Sequence, residues 1–163
     1  MQSKTSIDEK IIDFEKIPSI KNQLKKEAKT LASLNGSFDL IHAGHLYILQ
    51  EAAKTADILI VAVNSDASVS RYKGPTRPII PLKERMQMLA ALYFVDYVCP
   101  FEEDTPCKFL KIACPDIHVN GAEYGTDCIE ASTLKEIGAQ LHLAKRIPGL
   151  ATSDIVKKIK NEN

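Results

Sequence analysis

The run Ile58-Leu59-Ile60-Val61-Ala62-Val63 carries no polar residue, and most of its side chains are β-branched. An amphipathic helix would interleave polar residues at a period near 3.6, and a strand with one wet face would alternate at a period of 2. A short run that does neither predicts a strand covered on both faces. Such a strand needs a layer of structure on each side, and the crossover helices of a parallel sheet supply both. Asn64-Ser65-Asp66 then turns the chain, with Asp66 placed to cap the next helix.

Strand and helix patterns alternate along the rest of the chain. Residues 31–34, 97–99, 117–120 and 140–143 read as strands. Residues 18–30 read as a helix, with Ile17, Ile20, Leu24 and Ala28 forming one apolar stripe, and residues 44–53, 82–92, 129–137 and 153–160 read as further helices. Another opens at Pro106, behind a Thr105 cap. In the 82–92 helix, Met86, Leu89 and Ala90 face the core, while Glu84-Arg85 reads as a solvated pair near its start. His118 reads as a packed core residue, and Glu102-Glu103-Asp104 as acids favouring a helix dipole. This alternation predicts a three-layer α/β fold with a parallel sheet of about five strands and a ligand crevice outside their carboxyl ends.

Lysine plus arginine and aspartate plus glutamate each number 21, so the formal net charge is zero. No general attraction to nucleic acid or to an anionic membrane follows, and neither is expected as a partner. No apolar run approaches the roughly 20 residues that span a bilayer, and the polar start of the chain has no signal-peptide pattern, so a cytoplasmic location is expected. Cys99, Cys107, Cys114 and Cys128 form no CxxC pair, which argues against a zinc ribbon and predicts buried free thiols.

The stretch from Leu34 to Leu46, LNGSFDLIHAGHL, concentrates the chemistry. Asn35-Gly36 breaks the first strand, and a helix opens near Gly44. A helix N-terminus offers unpaired backbone N–H groups and about half a positive charge, both suited to phosphate. His42 and His45 bracket Ala43-Gly44 there, and Gly44 lets the backbone come close to a ligand. Imidazole donates hydrogen bonds in either protonation state, so two rings facing one anion suit a phosphate whose charge grows during reaction. A metal pair is disfavoured, since no third ligand lies nearby in sequence.

The string GSFDLIHAGH matches the GxFDxxHxGH signature of the cytidylyltransferase-like nucleotidyltransferases, and the chain resembles that family. The resemblance implies a Rossmann-like domain over residues 31–163, with residues 1–30 a helical extension ahead of it. It also implies that His42 and His45 contact the nucleotide phosphates and stabilise the transition state, while Gly36, Ser37, Phe38, Asp39 and Gly44 shape the nucleotide site. AVNSDAS, KGPTRPI, PLKERMQMLAAL, VDYV and FEEDTP are similar to the adenylyltransferase half of bacterial ADP-heptose synthases. Members with that pattern join ATP to D-glycero-β-D-manno-heptose 1-phosphate. Asn120, ahead of Gly121, stands where that group carries a lysine, and Ala151-Thr152-Ser153 stands in place of its STT. The string from Arg146 to Ser153 resembles the RTEGISTT of glycerol-3-phosphate cytidylyltransferases, which keeps a CTP-using enzyme open, as it does a nucleotide-binding protein without turnover.

No nucleophile–base–acid triad is legible, and the implied reaction needs none, because a sugar phosphate is already anionic near neutral pH. Alignment and charge neutralisation remain for the protein. Lys73, Arg77 and Arg85 are expected on the attacking or departing phosphate, with Arg146 also on substrate phosphate. Lys54, at the far end of the histidine helix, reaches either the phosphates or only that helix's own carboxyl terminus. Asn120, Gly121, Thr152 and Ser153 are expected at the nucleotide, magnesium with the ATP, and a homodimer as the assembly.

Overall fold

The computed structural model describes residues 6–145 and 152–161. Five strands, β1 (Leu31–Gly36), β2 (Ile58–Asn64), β3 (Tyr97–Phe101), β4 (Ile117–Gly121) and β5 (Gln140–Ala144), form one parallel sheet in the order β3-β2-β1-β4-β5. The expected three-layer architecture is therefore present. The chain starts in the middle, moves outward to β3, then returns to lay β4 against the free side of β1. That reversal opens a crevice between the carboxyl ends of β1 and β4.

Strand alternation sorts the core into two layers. Ala32, Leu34, Leu59, Val61 and Val63 point to one face, with Leu49 and Ala52 of α3 (Ala43–Ala53) and Leu89 and Ala90 of α5 (Leu82–Ala90). Leu31, Ile60 and Ala62 point to the other, with Phe109, Leu110 and Ala113 of α6 (Cys107–Ala113) and Leu134 of α7 (Ala131–Ile137). The uninterrupted apolar run of β2 is thus read by both layers, and each such side chain fully buried contributes about 1.5–3 kcal/mol. The N-terminal segment joins the second layer: a short α1 (Ile7–Lys10) precedes Ile12, whose N–H donates to the Val98 carbonyl at 2.9 Å, and Ile17 and Leu24 of α2 (Ile17–Lys26) are buried.

On that same face Ser33 and His118 are both fully buried side by side in β1 and β4, with Ser33 Oγ 2.8 Å from His118 Nδ1. Burial pushes the His118 pKa down to about 4. The core placement expected for this histidine is what the fold shows.

Several local expectations are corrected. Ser65, not Asp66, caps α4 (Asp66–Lys73) by accepting from the Ser68 N–H at 3.1 Å, because Asp66 turns outward to Leu82 N–H and Arg85. Arg71 to Lys73 close that helix, although the proline- and glycine-marked stretch from Arg71 to Pro78 reads in the sequence as one long loop, and Gly74 ends it at φ 99°, a left-handed value that favours glycine. Glu84-Arg85 is not a solvated pair, since Arg85 is fully buried. Of the cysteines only Cys99 is buried, its pKa pushed up to about 12, while Cys107, Cys114 and Cys128 are partly exposed. α8 (Thr152–Asn161) begins one residue before the expected start.

Candidate active site

The crevice at the switch point is a cavity of about 520 Å³, walled by the β1–α3 turn, the last turn of α4, the segment after β4 and the start of α8. Gly36, Ser37, Phe38, Gly44, His42 and His45 line the first of these walls. Phe38 sits at φ 48°, unusual for a non-glycine residue, and packs its ring against Gly36, where an added Cβ would lie 3.2 Å from it. The phenyl ring also backs His45, with centroids 5.4 Å apart.

The two histidines cap α3 with their own rings. His42 Nδ1 accepts from the Gly44 N–H at 3.1 Å, and His45 Nδ1 accepts from the His42 N–H at 3.4 Å. An imidazole that accepts through Nδ1 carries its proton on Nε2, so each neutral ring has an N–H donor left for a ligand. The ring centroids lie 3.9 Å apart at an interplanar angle of 33°. Burial, helped by His42 and Lys73, pushes the His45 pKa down to about 4, and burial also lowers that of His42 against an opposing pull from Asp154. Burial thus favours the neutral form of both rings. A bound anion reverses the balance by favouring the charged form.

Across the cavity, Lys73 Nζ donates to Ser37 Oγ at 2.8 Å. Partial desolvation holds its pKa below the ordinary lysine value, Arg77 and Arg85 adding to the effect and Asp39 opposing it. Lys73 is thus a cation on the cavity wall whose present partner is a neutral hydroxyl.

The other cations named from the sequence are placed elsewhere. Arg85 Nε donates to the Ile80 carbonyl at 2.9 Å, Nη2 to Asp66 at 2.7 Å and Nη1 to the Ser37 carbonyl. It fixes the β1–α3 turn from behind, with no face toward the cavity. Arg77 pairs with Asp39, whose carboxylate also accepts from the Ile79 and Ile80 N–H groups at 2.7 and 3.0 Å. Asp39 is itself buried, so it ties that turn to the segment before α5 and does not line the cavity. Lys54 is exposed at the C-cap of α3, paired with Glu51 at 2.6 Å. His45 lies nine positions before it in the same helix, a rise of about 13 Å at 1.5 Å per residue, and His42 lies farther still. It therefore takes the carboxyl-terminal alternative. Arg146 lies outside the described residues.

Asn120, Gly121 and Thr152 line the cavity, whereas Ser153 does not. Sequence reasoning missed Asn64, Tyr72, Glu123 and Glu130, which also line it. Tyr72 carried one signal, its place beside Lys73. Glu130 carried none, since an acid in the first turn of the helix expected over 129–137 reads as a dipole partner. Among the described residues no group of three or more His, Cys, Asp or Glu could hold a metal ion, and no helix is long and apolar enough to cross a membrane.

The profile described as cytidylyltransferase-like matches residues 33–161. The chain is 43% identical over 159 residues to Bifunctional protein HldE of a Nitratiruptor species, a match spanning 97% of this chain and 34% of that protein. It is 40% identical over 152 residues to Bifunctional protein HldE of Yersinia enterocolitica serotype O:8, spanning 93% of this chain and 32% of the relative. The chain thus spans about a third of the length of these curated relatives. Among solved structures, the lipopolysaccharide core biosynthesis protein from Thermoplasma volcanium GSS1 superposes with a TM-score of 0.59 at 28% identity, covering 73% of this chain and 97% of the other. A pantoate-beta-alanine ligase from Francisella tularensis, complexed with beta-gamma ATP and beta-alanine, gives a TM-score of 0.64 at 20% identity, covering 93% and 76%, and shares the fold.

Proposed function

Since the chain belongs to the cytidylyltransferase-like family of nucleotidyltransferases, we propose that it transfers AMP from ATP to D-glycero-β-D-manno-heptose 1-phosphate, yielding ADP-heptose and pyrophosphate. The observation that carries this reading is the pair of Nε2–H donors on His42 and His45 at the α3 N-terminus, with Lys73 across the same cavity. The choice of acceptor rests on the AVNSDAS, KGPTRPI and FEEDTP strings. The relatives' name, bifunctional, accords with a match to about a third of their length.

In this reading an oxygen of the sugar phosphate attacks the α-phosphorus of ATP. The new P–O bond forms as the α–β bridging bond breaks, and the electron pair leaves with pyrophosphate. No proton has to be removed from the attacking oxygen, so no general base is needed. The two imidazoles and the α3 N-terminus neutralise the α- and β-phosphate oxygens, where charge builds. Lys73 meets the acceptor phosphate or the departing one, giving up Ser37 as its partner. Arg85, Asp39 and Arg77 hold the turn that aims the histidines. Magnesium accompanying the triphosphate would supply further neutralisation of its phosphate charge. We further propose a homodimer in the cytoplasm as the working form.

The test is pyrophosphate release with magnesium, pairing ATP or CTP with the heptose 1-phosphate or glycerol 3-phosphate. Turnover confined to ATP with the heptose phosphate is the expected result. Turnover with CTP and glycerol phosphate would overturn it in favour of the reading that the Arg146–Ser153 string suggests. Light scattering that gives a monomer mass would refute the dimer.

A further inference from the structure

The cavity is electrostatically lopsided. The β1–α3 turn supplies neutral Nε2–H donors and the end of α4 supplies Lys73, whereas the segment after β4 supplies the carboxylates of Glu123 and Glu130, with Lys145 after β5 also lining the cavity. Glu130 is 5% exposed, an expensive position for a carboxylate that is not paired with a cation. It occupies the N-cap of α7 yet makes no cap bond to that helix, the usual use of an acid there. None of the ion pairs among the described residues includes it.

Its partners are neutral. Asn120 Nδ2 donates to Glu130 Oε2 at 3.3 Å, and the nearby Cys128 thiol has its pKa raised first by burial and then by Glu130. Asn120 is itself fixed: its Oδ1 accepts from the Gly121 N–H at 3.0 Å, which turns the amide N–H toward Glu130. A long, neutral hydrogen bond leaves acceptor capacity on the carboxylate, and that capacity lies on the cavity wall. A phosphate placed directly against this carboxylate is repelled. Neutral hydroxyls are suited to it, because two adjacent O–H groups match the two oxygens of a carboxylate.

We propose that Glu130, oriented by Asn120, is a specificity-determining residue that accepts hydrogen bonds from vicinal hydroxyls of the substrate, and so fixes which way the substrate lies across the cavity. This rests on the nucleotidyltransferase reading above. The diol belongs to the ribose of the nucleotide or to the sugar of the acceptor, and the experiment separates these.

Calorimetry on the full chain would compare ATP, 2′,3′-dideoxy-ATP, inorganic tripolyphosphate and the heptose 1-phosphate, using wild type, Glu130→Gln and Glu130→Ala. Loss of hydrogen bonds to a charged acceptor is expected to weaken the diol-bearing ligand about tenfold or more. Tripolyphosphate is expected to bind unchanged or more tightly, since a nearby negative charge is gone. Damage to the fold would weaken both together, and that result would overturn the proposal. If the ribose is read, ATP weakens and wild type already discriminates against the dideoxy nucleotide. If the acceptor is read, ATP is untouched and only the heptose phosphate weakens. Unchanged affinity for both in the variants would overturn the proposal. So would a wild type that binds the dideoxy nucleotide as tightly as ATP, with heptose phosphate binding indifferent to Glu130. A wild type that binds neither ATP nor tripolyphosphate would instead sink the nucleotidyltransferase reading beneath it.

Discussion

His45 and His118 are both imidazoles whose pKa burial pushes down to about 4, and they do opposite things. His45 spends Nδ1 on the backbone of the α3 cap and keeps its other nitrogen for a cavity of about 520 Å³. His118 pairs Nδ1 with Ser33, and its Nε2 is buried with no hydrogen-bond partner among the described residues. Desolvation sets the direction of both shifts. What faces the remaining nitrogen decides whether a ligand or only unfolding can answer it.

Exchanging activity loss for stability loss gives the largest contrast. His42→Ala and His45→Ala are expected to lower kcat by about 10²–10³, the usual cost of removing a preorganised donor from a developing charge, with stability lowered by only about 1 kcal/mol through the lost α3 cap. His118→Ala is expected to destabilise the fold by about 2–4 kcal/mol in urea, from the cavity it leaves and the Ser33 hydroxyl it strands, with kcat nearly retained. If His118→Ala lost turnover as severely as His45→Ala while folding normally, the contrast would break.

How far this division was legible in the sequence depends on what each residue's neighbours reveal. The parallel sheet was legible because β2 is apolar at every position up to Asn64 and mostly β-branched, which at this length favours a strand covered on both faces over a buried helix. His118 was legible as core because its strand neighbours are apolar. The histidine turn was legible through the resemblance of GSFDLIHAGH to the GxFDxxHxGH signature, since two rings bracketing Ala43-Gly44 at a helix start do not by spacing alone separate a ligand site from a core-and-surface pair. The cations were not. Lys73, Arg77, Arg85 and Lys54 are chemically equivalent in sequence, and of these four only Lys73 faces the cavity, because Asp39, Asp66 and Glu51 claim the others. Those claims span as many as 38 positions, from Asp39 to Arg77, which no local pattern encodes. Glu130 was invisible for a related reason: its partner Asn120 sits at the end of the preceding strand, and nothing in the intervening residues marks the pair.

Acid titration of stability sharpens the comparison. The folded pKa of His118 lies below the ordinary value of 6.5, so the unfolded chain binds more protons between the two. Its neutral form therefore favours the native state fully above pH 6.5, and that contribution is lost as pH falls from 6.5 toward about 4. His45 has the same sign and window. Urea unfolding across this range should show the loss in wild type and a shallower one in either alanine variant. Adding tripolyphosphate should relieve the His45 share and leave the His118 share, so that the ligand flattens the profile in His118→Ala more completely than in His45→Ala.

The smallest effect is the most direct, because it reads each ring separately. An anion seated at the α3 N-terminus favours the imidazolium, by Coulomb attraction and by accepting from Nε2, whereas the sheet insulates His118 from the cavity's charge. Imidazole NMR titrations with and without tripolyphosphate should therefore raise the apparent pKa of His45 from about 4 toward the ordinary value, raise that of His42 as well, and leave His118 where burial put it. The rings of His42 and His45 are 3.9 Å apart, so their titrations are coupled and the shift belongs to the pair. A rise in His118 matching that of the pair would mean that the ligand reorganises the sheet itself, and the separation between the two kinds of buried histidine would fail.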